Sequence, residues 1–471
     1  MWRRLSLCLL LGAGCAAASG NLAQAQEATG NAPTPENEQL PPNPPPSIAS
    51  SIPVLAQFKK GLFDLGYNLQ WTYFADGLGN PTGGVREGAV YEGILYMVLD
   101  ADLAKIASLH GLSFRISAFQ IHGGQLSASN IFNLATVDSI EARPATRLFE
   151  LWVEQKFGEL ALLRVGQLAA DNQFFISEFG NTLYINSTFG WPAIVLADLP
   201  SGGPSYPLAT PGVRLKVTPN DQLALLAGLY NGDPSGAGFT GLQEIKDPAG
   251  INFRLKDPPL LMAEAQYMYN QDKTAEGLAG TIKLGAWYHF GKFDDNHFGI
   301  DGKSLAEPSS NGVARTHSGD YGVYGVIDQM LWRLPGDNPK KGVGAFARVA
   351  LSPSDRNLID FYADAGVNFM GLWDKRPNDS FGLAASFSQL SPGLRELDLE
   401  KAFFEKTALP LRNYELVVEF TYQAQIVARW TIQPDFQYIF HPGGGVVDPL
   451  NPFVGRIPDA AVFALRTAIS F

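Results

Sequence analysis

The final stretch, Ala461-Val462-Phe463-Ala464-Leu465-Arg466-Thr467-Ala468-Ile469-Ser470-Phe471, constrains this chain more than any other feature. Side chains alternate along a strand, so Phe463, Leu465, Ile469 and Phe471 share one face while Arg466 and Ser470 lie on the other. An apolar face opposed by a polar one, in a last strand that ends on an aromatic, fits the closing strand of an outer-membrane barrel. A half-buried edge strand of a soluble sandwich alternates in the same way. The rest of the chain has to decide between them.

At the other end, Arg3 and Arg4 precede an apolar run from Leu5 to Ala18, and Ala23-Gln24-Ala25 follows as an A-x-A cleavage site. Residues 1–25 are expected to be a secretory signal peptide. No later segment supplies the roughly 18 uninterrupted apolar residues of a membrane-spanning helix. Both cysteines, Cys8 and Cys15, fall in the signal, so no disulfide staples the exported chain. A formal net charge of −11, which becomes more negative once Arg3 and Arg4 are removed, argues against nucleic acid as a partner.

Residues 26–50 carry Pro33, Pro35, Pro41, Pro42, Pro44, Pro45 and Pro46, the composition of an extended periplasmic tether. Residues 51–66 form a short amphipathic segment, and 67–471 are assigned to the barrel. Period-two runs bounded by Gly, Pro, Asn and Asp predict sixteen strands there. They fall near 67–74, 92–102, 112–120, 147–157, 160–167, 212–218, 222–230, 259–270, 277–290, 320–332, 342–351, 358–370, 380–390, 413–425, 428–440 and 459–471. The sixth outer loop excepted, every odd-numbered connection is longer than every even-numbered one, beginning with a long first connection, 75–91. Up-and-down membrane barrels have this parity: short periplasmic turns, such as Thr218-Pro219-Asn220-Asp221, and long outer loops. The expected fold is all-β, a transmembrane antiparallel up-and-down barrel of about sixteen strands, in the outer membrane of a Gram-negative cell.

Face parity then selects lumen candidates. Arg115, Glu150, Arg164, Arg214, Lys216, Glu264, Lys283, Arg348, Asp364, Glu415, Glu419, Arg429 and Asp435 should point inward, with Trp152, Tyr230, Trp287 and Tyr362 as aromatics able to stack on a ring. Bases and acids nearly balance in this set, which suits a neutral solute. The third outer loop, 168–211, is long enough to fold inward and bring Asp171, Asn172, Phe174 and Asn186 to a constriction.

Catalytic chemistry is hard to find. His110, His122, His289, His297, His317 and His441 are scattered and none sits in a zinc spacing. Gly236 to Gly241 matches G-x-G-x-x-G, but no helix pattern opens after it, so loop glycine explains it better. Asp294-Asp295-Asn296 with Asp301 has the oxygens for calcium, although a solvated outer loop is the plainer reading. Glu415 and Glu419 read as pore lining in preference to a glycosidase pair. No enzyme activity, cofactor or metal is expected.

Several pieces resemble one family. They are Asp102-Leu103-Ala104-Lys105 with Leu109-His110-Gly111, Arg164-Val165-Gly166-Gln167 with Phe174, Asn186 through Phe189, Tyr206-Pro207 with Pro211-Gly212, and Tyr230 through Ser235. Asp328-Gln329-Met330, Phe346 through Val349, Asp355-Arg356-Asn357 and, most specifically, Pro434 through Gly444 continue them in order. Over residues 55 to 471 the chain resembles the carbohydrate-selective, OprB-like outer-membrane porins. That resemblance implies a sixteen-stranded barrel that admits sugars by diffusion, with outer-membrane lipid around it. A homotrimer is expected of porins in general. Two rival readings are a secreted soluble all-β protein that binds or cleaves polysaccharide, and a non-conducting adhesin or receptor barrel.

Overall fold

A computed structural model describes residues 45, 47–237, 243–272, 275–336, 338, 341–407, 410–451 and 455–471. The expected signal peptide, most of the Pro-rich segment and part of the glycine motif lie outside the described residues.

The strands are β1 (Tyr67–Thr82), β2 (Gly88–Asp102), β3 (Leu112–Gly123), β4 (Ala145–Phe157), β5 (Ala161–Leu168), β6 (Thr210–Asn220), β7 (Leu223–Asn231) and β8 (Pro259–Tyr269), followed by β9 (Gly280–Gly299), β10 (Ala314–Arg333), β11 (Gly342–Leu351), β12 (Ile359–Met370), β13 (Ser380–Leu390), β14 (Tyr414–Val427), β15 (Trp430–Phe440) and β16 (Ala460–Ser470). Each pairs with its sequence neighbour, and β1 pairs with β16 to close the barrel. Every ladder is antiparallel; at the closure Tyr73 faces Ile469, Asp76 faces Arg466 and Gly79 faces Phe463. The closed ring excludes the soluble-sandwich reading.

Burial alternates with period two, as a barrel with a filled interior requires. Along β14, Glu415, Val417, Glu419 and Thr421 are buried inward while Phe420 is 49% exposed outward. On β16 Ala460, Val462, Ala464 and Arg466 point in, and Phe463 and Leu465 point out. The largest apolar cluster sits inside the ring. Trp191, Ile194 and Val195 of the β5–β6 connection pack with Phe174, Phe175, Trp287 and Tyr324 there.

Four strands run longer than their sequence signals. Gly77, Gly79 and Pro81 read as a turn, yet β1 continues through Thr82 because Gly77 pairs with both Leu465 and Tyr91. With β2 beginning at Gly88, the first outer loop shrinks to 83–87 and joins the sixth as an exception to the length parity. β9 and β10 likewise continue past Gly291 and the Asp-Asp-Asn segment, because Phe293 pairs with His317 and Ala314 with Gly299. Inter-strand hydrogen bonds outweigh local turn propensity in each case.

The outward face gives a direct test. Phe420→Arg should lower stability to urea in lipid vesicles by about 2–4 kcal/mol if the residue lies near the bilayer midplane, whereas Phe420→Leu should change it little. Equal effects of the two substitutions would mean that the face assignment is wrong.

Candidate functional site

A long loop inside a barrel carries backbone amides and carbonyls that water cannot reach, so the wall must supply their partners. The β5–β6 connection, 169–209, is such a loop, and it is pinned along its whole course. Glu150 accepts from the amide of Ala169 at 3.2 Å. Glu264 accepts from the amide of Phe175 at 2.8 Å and from the Tyr324 hydroxyl at 2.7 Å. Lys283 donates to the carbonyl of Ile176 at 2.8 Å. Asp328 takes the Ser177 hydroxyl at 2.5 Å and the amides of Glu178 and Phe179 at 3.1 and 3.2 Å. Farther along, Glu419 accepts from the amides of Ile185 and Asn186 at 2.5 and 3.0 Å, and Gln437 accepts from the Asn186 side chain at 2.9 Å.

Arg348 joins the two limbs of this loop. Its guanidinium donates to the carbonyls of Phe175, Thr188 and Gly190 at 3.1, 2.7 and 2.9 Å, and to Asp364 at 2.5 Å. Asp364 also accepts from the Tyr362 hydroxyl at 2.7 Å. The β3–β4 connection, 124–144, is held in the same manner. Glu415 accepts from the amides of Leu134 and Ala135, and Arg466 bridges Asp76 at 2.8 Å and Asp138 at 2.5 Å. Within that connection burial pushes the Glu141 carboxyl up to about 7, against the amides of Ser127 and Ala128, which favour its charged form.

On the other side of the lumen a cleft stays open. It is small, with room for about one water molecule, and is lined by Asp100, Phe114, Trp152, Glu154, Lys156 and neighbouring residues of β2 to β5. Arg115 pairs with Asp100 at 2.6 Å, and Arg164 and Arg214 share Glu154 at 3.0 and 3.3 Å. Trp152 lies between two cations: the Arg164 guanidinium sits 3.9 Å from the ring centroid and that of Arg115 5.3 Å. The indole N–H of Trp152 and the hydroxyl of Tyr230 have no partner among the described residues.

The expected lumen residues thus divide into two sets. Trp152 lines the cleft, and Arg115, Arg164 and Arg214 adjoin it through their partners Asp100 and Glu154, with Lys216 buried on β6. Glu150, Glu264, Lys283, Arg348, Asp364, Glu415 and Glu419 grip loop backbone or its partners. Asp435 is buried beside Gln437, to which it is bonded at 3.0 Å. Trp287 and Tyr362 pack inside the loop's apolar cluster, and Tyr230 meets Phe174 edge-on. Arg429 departs from its expected place on a strand wall: it occupies the tight turn 428–429 with φ of 68°, because β14 runs on to Val427 and the hairpin reverses two residues later than its charge pattern suggested.

In the loop, Asp171 accepts from the amide of Tyr206 at 2.7 Å, while Asn172 is half-buried and Phe174 and Asn186 are fully enclosed. Sequence reasoning missed Asp100, Glu154 and Asp328. Glu154 was within reach of face parity, two residues beyond Trp152 on the same side of β4. The calcium candidate Asp295 has its oxygens engaged, by Arg315 at 2.5 Å, His317 at 2.9 Å and the amides of His297 and Phe298. Among the described residues no three His, Cys, Asp or Glu side chains are grouped to hold a metal.

A closed sixteen-strand ring narrowed by an inward loop is porin architecture. Residues 86–471 match the profile of the carbohydrate-selective porin, OprB family. The chain belongs to this family. Porin B of Pseudomonas aeruginosa is 23% identical over 426 residues, which cover 85% of this chain and 88% of that one. The high-pH structure of Pseudomonas putida OprB is similar with a TM-score of 0.75 at 22% identity, over 88% of this chain and 97% of that one. Its low-pH structure gives 0.52 at 16% identity. As an OprB-family member the protein is an outer-membrane porin.

Removing one partner of a buried ion pair leaves the other charge uncompensated. Arg348→Ala should therefore lower stability by about 3–5 kcal/mol and raise conductance in plain salt as the loop loosens, while the double variant with Asp364→Asn should recover much of the stability. Unchanged conductance in the single variant would show that Arg348 does not hold the constriction.

Proposed function

We propose that the porin passes mono- or small oligosaccharides by passive diffusion along the cleft of Asp100, Arg115, Trp152, Glu154 and Arg164. The process has no chemical step and uses no cofactor. A sugar is neutral, bears several hydroxyls and has apolar ring faces. Recognition in passing therefore calls for charged hydrogen-bonding groups with little net charge and for an aromatic surface. The pairing of signs in the cleft supports this reading most directly: Arg115 with Asp100 at 2.6 Å, and Arg164 with Glu154 at 3.0 Å. Such pairs offer donors and acceptors side by side while attracting neither phosphate nor cations strongly. Trp152 adds an indole N–H that has no partner among the described residues. Binding has to stay weak, because a site that holds its solute tightly conducts slowly.

Single-channel recording in a planar bilayer tests the proposal. Neutral sugars should reduce the current saturably, with half-block in the millimolar range as an order of magnitude. Arg164→Ala should weaken that block more than it alters conductance in plain salt. If sugars leave the current untouched while phosphate or a dicarboxylate blocks it, the pore serves another solute.

A further inference from the structure

The family profile begins at residue 86, and a twelve-residue helix, Pro53–Asp64, precedes it. Pro53 at its first turn fixes φ in the helical range where the missing N–H would have had no partner. The helix leads into β1 through Gly66, whose carbonyl accepts from the amide of Asp102 at 2.8 Å. Gly66 has φ of 97°, and a Cβ there would meet Lys105 at 3.0 Å, so the helix is turned tightly under the barrel end. Midway along, Lys59 donates to the carbonyl of Phe471 at 2.8 Å, and its charge interacts with that of Arg429 in the β14–β15 turn. Strands β1, β16, β15 and β14 are consecutive in the ring. The helix therefore passes beneath neighbouring strand ends and follows the rim instead of projecting from it.

Its three faces differ. Ala56, Lys59 and Phe63 are the less exposed positions, and Phe63 is buried under Lys105, whose amine lies 5.2 Å from its ring. Gln57, Lys60 and Asp64 make a polar face, with Lys60 bonded to Asp64 at 2.7 Å. Between them runs an apolar stripe of Val54, Phe58 and Leu65, respectively 76%, 58% and 65% exposed, which no part of the described chain covers. The helix meets the barrel where its outward apolar surface ends: Phe471, which Lys59 contacts, donates its amide to the carbonyl of Trp71 at 2.7 Å, and both Trp71 and Phe471 are exposed.

We propose that this helix is a membrane-surface anchor, lying along the rim with Val54, Phe58 and Leu65 inserted among the acyl chains of the periplasmic phospholipid leaflet. A helix with one apolar and one charged face lies in the plane of the membrane interface, and a helix that follows a barrel rim is already parallel to that plane. Continuity with the barrel's outward face selects lipid over a second copy of the chain. Lys60, on the polar face, suits a leaflet that contains anionic headgroups.

No cysteine follows Cys15, so single cysteines report without interference. Val54→Cys, Phe58→Cys and Gln57→Cys, each carrying an environment-sensitive fluorophore, are placed in the whole porin in phosphatidylcholine–phosphatidylglycerol vesicles. A quencher on the acyl chains should act several-fold more strongly at positions 54 and 58 than at 57, and aqueous iodide should show the reverse order. Equal access of iodide to all three positions overturns the proposal. Protection of 54 and 58 from both quenchers overturns it as well, and a disulfide between copies at position 58 would then identify a second copy as the occupant. Sugar block of the current, measured on the same samples, checks that the labelled porin is assembled and is read independently of the anchor.

Discussion

Hydrocarbon offers no partner to a backbone amide, and the pairing of β1 with β16 is what frees this chain from that penalty. Once the ring is closed, every strand has two neighbours and no edge remains to recruit another chain. Closure also fixes which side chains face inward. Because the period is two, a slip of β16 by one residue would turn Arg466 outward, leave Asp76 unpaired by it inside, and bring Phe463 and Leu465 into the lumen. The ion pair at the seam, at 2.8 Å, thus lies where a register error would be most expensive.

Closure creates a second demand. A ring this wide encloses more space than its inward side chains fill, and the chain fills it with its own loops. Loop backbone then needs hydrogen bonds away from bulk water, and wall charges need partners for the same reason. Each satisfies the other. Asp328 receives three donors from a single turn of the loop, and Arg348 gives its hydrogens to three carbonyls and one carboxylate. The charges on the wall from β8 to β14 are in this sense fasteners, and the bore they leave is set by where the loop lies.

The strands were legible because pattern and turn residues both report them. β11 and β13 agree with their expected limits at both ends, since Gly342 and Leu351, and Ser380 and Leu390, coincide with the edges of alternation. β1 and β9 ran on past glycines and acidic residues because a neighbouring strand supplied bonds that no local signal announces. The inward direction of Glu264, Arg348 and Glu419 was also legible from parity. Their partners were not. An acid on a wet wall and an acid that clasps the amides of Ile185 and Asn186 look identical in sequence, because a backbone amide has no letter of its own.

This division changes what electrical balance means for the pore. Summing every inward charge treats the wall as one surface, but Arg348 and Glu419 are each bonded to loop backbone. On β2 to β6 the charges pair with one another instead, Arg115 with Asp100, and Arg164 and Arg214 with Glu154. Arg115 and Asp100 balance, while two arginines share Glu154 and leave one positive charge in excess. A local pair presents a strong donor beside a strong acceptor, the arrangement that vicinal hydroxyls match and that a lone ion does not. Pairing also lowers the field along the path, so a neutral solute loses little to competing ions while its hydroxyls still find oriented partners. From β8 to β14 the charges are tied to the loop, whereas Arg115 with Asp100 and Arg164 with Glu154 are paired along the wall itself.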